Sequence, residues 1–113
     1  MKTFELSADP YNINVLVCIS RPKQATEWLA AQNVHAEIPV GFEGSTFFPT
    51  DNPDVFIWAE RSDLVLLSHE LIHASVAILA GAGVPITPKH DEALAYLHSH
   101  LLQQAKEKLK RRK

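Results

Sequence analysis

His69 and His73 stand four residues apart in "SHELIHASVAILAGAG", residues 68 to 83, and Glu70 lies between them. On a helix, side chains four apart stand one above the other on a single face, so the two imidazoles can grip one metal ion. Glu70 falls about 100° round the axis, at the edge of that face, where its carboxylate can take a proton from a water on the metal. Neutral imidazole suits Zn²⁺, and this H-E-x-x-H spacing is the one such chemistry needs. The bland alternative is a pair of hydrogen-bonded core or interface histidines.

A catalytic zinc takes three protein ligands and keeps one position open. Glu92, on the following helix, is the stronger candidate for the third ligand. His90 is the rival, nearer the frayed start of that helix. Tyr96 lies one turn past Glu92, placed to stabilise an oxyanion or, alternatively, to pack as an amphipathic side chain. Asp91, Ser99 and backbone carbonyls are candidate acceptors for the second N–H of a ligand histidine. His98 and His100 fall on different faces from Glu92 and read as surface residues, while His35, alone in its loop, reads as structural or exposed rather than as a ligand.

Positioning these groups requires a scaffold, and the chain's signals for one are local. "INVLVCI", residues 13–19, is a β-branched apolar run that predicts a buried strand. Ser20 is placed to cap a helix with Pro22 in its first turn, and Asn33 to end it. "STFFP" and "DVFIWAE" predict two short strands split by the turn formers "TDNP". Ser62 is placed to cap the motif helix, expected over residues 63–80 and stopped by "GAGVP". Thr87 and Pro88 are placed to start a last helix, which the basic tail over residues 106–113 closes. This order predicts an α+β domain: a small mixed or antiparallel sheet, one N-terminal helix and two C-terminal helices.

A chain of 113 residues suits one domain, residues 1–113, and is too short for two. Cys18 is the only cysteine, which excludes an internal disulfide and fits a buried, inert thiol. No run reads as a signal peptide or reaches membrane-spanning length, so a soluble, cytoplasmic protein with no membrane partner is expected. The tail carries six Lys or Arg and one Glu, while residues 1–105 carry five basic and twelve acidic side chains. The cationic end suits a helix C-terminus, and the acidic body would repel phosphate, so no nucleic-acid partner is expected.

The combination "HELIHASVAILAGAGV…DEALAYL" resembles the gluzincin branch of the zincin metallopeptidases, and most of all short zincin-like proteins, often phage- or prophage-encoded. The resemblance covers roughly residues 54–102. It implies a minimal zincin-like domain in which His69, His73 and Glu92 hold Zn²⁺ and Glu70 is the general base. It also implies an edge strand before the motif helix that pairs with extended substrate, a place that "DVFIWAE" fits. For Glu92 to reach the metal, small Ala95 and Ser99 would have to admit the motif helix. Leu94, Leu97 and Leu101 would then pack on the sheet or on a second subunit, as in a homo-oligomer.

Two functions follow as expectations. The first is a zinc-dependent hydrolase, a small metallopeptidase taking a peptide or protein substrate along residues 54–60. The second is a catalytically silent zincin-like binding or structural protein, whose metal site serves stability or partner recognition.

Overall fold

The two most apolar segments of the chain pair with each other at the centre of a sheet. In the computed structural model, which describes residues 1–38 and 41–110, the elements are β1 (Lys2–Ala8), β2 (Ile13–Ile19), α1 (Pro22–Ala31), β3 (Gly44–Phe47), β4 (Val55–Ala59), α2 (Leu64–Gly81) and α3 (Glu92–Lys110). β2 and β4 run parallel, β1 is antiparallel to β2, and β3 is antiparallel to β4. The sheet is therefore mixed, in the order β1-β2-β4-β3. The α+β layout matches the expected one, with one helix after the first strand pair and two at the C-terminal end. Residues 106–110 of the basic tail continue α3, and residues 111–113 lie outside the described residues.

Helices cover both faces of this sheet, so the central strands have no polar side to show. All five residues of β4 are buried, which is why "VFIWA" does not alternate. On one face Val15, Val17, Ile57 and Ala59 meet Leu67, Leu71, Ala74 and Ile78 of α2 and Leu97, Leu101 and Ala105 of α3. On the other, Phe56 packs with Leu29 and Val34, flanked by Trp28 and Phe47. The Trp58 indole donates to the Ser20 carbonyl at 3.0 Å, which satisfies its one polar group inside this layer.

Several local expectations change. β1 is an additional strand, and its alternating Phe4, Leu6 and Ala8 face the helices. α1 begins after Arg21 rather than Ser20, whose hydroxyl turns instead to donate to the Arg21 carbonyl at 2.9 Å. α2 is capped by Asp63 rather than Ser62: its carboxylate accepts from the Val65 and Leu66 amides at 2.9 and 3.4 Å. Thr87 and Pro88 precede α3 in a closed turn, where the His90 amide donates to the Thr87 carbonyl at 2.8 Å. α2 is also long and apolar enough, by length and composition, to cross a membrane, contrary to the sequence reading. Here its inner face forms the core.

The two outer strands differ in a way that bears on function. On β1, the Gln104 side chain accepts from the Ser7 amide at 2.9 Å and donates to the Ser7 carbonyl at 2.8 Å, so α3 covers that edge at Ser7. Among the described residues no strand pairs with the outer side of β3. The edge expected at residues 54–60 is thus corrected: β4 is paired on both sides, and the open edge belongs to β3.

Candidate functional site

α2 turns Leu67, Leu71, Ala74 and Ile78 into the core, which leaves the opposite stripe, with His69, His73 and Val76, exposed to solvent. The two imidazole rings have centroids 5.0 Å apart and planes at 77°. Glu70, about 100° round, sits where the helix meets β3, and it is only 5% exposed. This buried carboxylate accepts a hydrogen bond from Thr46 Oγ1 at 2.6 Å, and the same hydroxyl lies 3.2 Å from the Glu70 carbonyl oxygen. Gly44, two residues earlier on β3, faces the same way. A Cβ there would stand 3.2 Å from Glu70 Oε2 and 3.1 Å from the Trp58 carbonyl oxygen.

These residues line an open cavity of about 470 Å³ between α2 and β3, walled on its apolar sides by Phe42, Phe48 and Val76. Phe42 and Phe48, 62% and 48% exposed, present their rings to this cavity. The register fixes which backbone groups face out. The Glu60 amide donates to the Glu43 carbonyl at 2.8 Å, so that pair is hydrogen-bonded. Antiparallel alternation then turns Ser45 and Phe47 toward β4, leaving the amides and carbonyls of Gly44 and Thr46 on the open side. Beside the cavity Arg61 pairs with Glu43 at 2.9 Å and lies 3.8 Å from Asp63. The guanidinium holds the Glu43 carboxyl below its ordinary range.

His69, Glu70 and His73 are therefore brought together, and the other expected site residues are not. Glu92 is the exposed first residue of α3 and does not line the cavity. Tyr96 is 72% exposed, its ring stacked on His100 at 6.5 Å. His90 is exposed and holds Thr87 Oγ1 at 3.0 Å. Ala95 and Ser99 face solvent, so the close helix approach expected through them does not occur; Leu97 and Leu101 pack against the sheet and α2 instead. Asp91 is likewise exposed. His98 and His100 are half-buried rather than surface residues. His98 Nε2 lies 3.2 Å from both the hydroxyl and the carbonyl oxygen of Ser68, and His100 Nε2 lies 3.6 Å from the Asp9 carboxylate. His35 is exposed on the α1 side.

As a zinc site the donors fit in part. Two nitrogen ligands one helical turn apart are what zinc takes from such a motif, and a carboxylate stands beside them. Among the described residues, no three His, Cys, Asp or Glu side chains are grouped closely enough to hold a metal. Thr46 and Gly44 were not foreseen as site residues. No spacing rule links a short strand to a carboxylate twenty-four positions on. No family profile, curated protein or solved structure matches this chain.

Proposed function

We propose that the protein is a small zinc-dependent hydrolase acting on extended peptides, with β3 as the strand on which the substrate lies. The observation that carries this reading is the placement of one buried carboxylate, Glu70, between an exposed imidazole pair and an open strand edge. In this reading His69 and His73 hold the metal. The backbone groups of Gly44 and Thr46 hold the peptide by strand addition, and Phe42, Phe48 and Val76 receive its apolar side chains. A zinc ion held there would polarise the scissile carbonyl and lower the pKa of a bound water. Glu70 takes a proton from the attacking water and delivers it to the leaving nitrogen as the C–N bond breaks.

The zincin-like resemblance supports the roles of His69, His73 and Glu70. It assigns the third ligand to Glu92, which stands outside the cavity here. That observation favours the second reading, a binding protein that keeps a two-histidine site for partner recognition.

Glu70→Gln separates the two. The change is nearly isosteric, keeps an acceptor for Thr46 and removes the proton acceptor. Wild type and variant are incubated with zinc and a mixed peptide library, and cleavage is read by mass spectrometry. Wild type should cleave, and the variant should be slower by about 10²–10⁴ while binding the same amount of zinc. Equal cleavage by both removes Glu70 from the mechanism, and no cleavage by either favours the binding protein.

A further inference from the structure

We infer that Thr46 is the positioning residue for Glu70, and that β3 both docks the peptide and aims the base. The inference rests on Glu70 being that base. At 2.6 Å the Thr46 hydroxyl donates a short hydrogen bond to Glu70 Oε1. Thr46 Oγ1 also lies 3.2 Å from the main-chain carbonyl oxygen of Glu70, so the hydroxyl sits against both ends of one residue and restricts its rotation. The other carboxylate oxygen faces Gly44, where a Cβ would come within 3.2 Å. Residues two apart on a strand share a face, so β3 sets a donor against one oxygen and a gap against the other. Oε1 is held, and Oε2 is left facing the cavity.

Thr46 carries a second duty through its backbone, which faces the open edge where the peptide would pair. Substrate docking therefore stiffens the residue that holds the base. A side-chain change at Thr46 leaves the docking amide and carbonyl intact, so it should act on turnover and spare binding.

The test compares Thr46→Val, which removes the hydroxyl at constant shape, with Thr46→Ser, which keeps it. Thr46→Val should lower kcat by about 10–100-fold, the range for groups that orient a reacting partner, with KM little changed. Thr46→Ser should restore most of the loss. A second readout needs no activity: melting of the metal-free protein. Thr46→Val should lower Tm clearly when Glu70 is present, because it strips the donor from a buried carboxylate, and much less in a Glu70→Leu background. Equal falls in both backgrounds mean that the hydrogen bond is not formed, and the inference is overturned. Coupled melts with an unchanged kcat in Thr46→Val leave the hydrolase reading standing and reduce Thr46 to a structural partner. Coupled melts with no cleavage by wild type remove the hydrolase reading, and the positioning role with it.

Discussion

Zinc should raise the melting temperature of this protein, and the rise should depend on the two exposed histidines. A metal that binds only the folded chain adds RT ln(1 + [L]/Kd), about 2.7 kcal/mol at a hundredfold excess over Kd. Unfolding entropy is about 2.1 cal/mol/K per residue, so for 113 residues it totals about 0.24 kcal/mol/K. The quotient is a rise of about 11 °C. His69 and His73 are both exposed, so replacing them with Ala should change metal-free stability by only about 0.5 kcal/mol or less. A lost shift in those variants then reports lost binding rather than a damaged fold. The assay is thermal melting by circular dichroism at fixed protein concentration, with zinc and with a chelator. Glu92→Ala and His90→Ala should keep the shift, because neither side chain lines the cavity. No rise in wild type, or the same rise in the double histidine variant, would refute the reasoning. A shift abolished by Glu92→Ala would show that the first turn of α3 takes part in the site.

Gly44→Ala should slow hydrolysis and cost about 1–3 kcal/mol in urea melts, since the new Cβ crowds Glu70 Oε2 at 3.2 Å and the Trp58 carbonyl oxygen at 3.1 Å; a silent variant would contradict the close approach of β3 to α2. Cys18 is fully buried and burial pushes its thiol pKa up, so Ellman's reagent should label it only after unfolding, and rapid labelling of the native protein would count against that placement. The Arg61 guanidinium holds Glu43 below its ordinary 4.5, so the pair stabilises the fold above that pH and loses its contribution as pH falls through the lowered value. Both groups are exposed, so Glu43→Gln should trim the acid-limb dependence slightly at low salt and not at high salt, measured by urea melts across the acid range.

Much of the motif helix is written locally. The i, i+4 histidines, the apolar stripe and the stop at Gly81–Gly83 need only neighbours within a turn or two, so spacing reveals them. The caps were less legible because Ser62 and Asp63 are both good capping residues, and backbone geometry chose the second. β1 was readable in principle, for Phe4, Leu6 and Ala8 alternate with Thr3, Glu5 and Ser7, but Lys2 and Glu5 keep its mean hydropathy low.

The sequence by itself determined the α+β class, the helix that carries His69, Glu70 and His73, and the buried character of β2. Each follows from short-range periodicity acting on side-chain direction. The tertiary structure alone decided which strand edge is open. β3 lies between α1 and β4 in the chain yet takes the outside of the sheet, because β2 and β4 pair through residues about forty apart. It also decided that Thr46 meets Glu70 and that the Gln104 side chain bonds the outer edge of β1 at Ser7. Those contacts are choices among packings of whole elements, settled by burying apolar area over the entire core, and no local pattern encodes them.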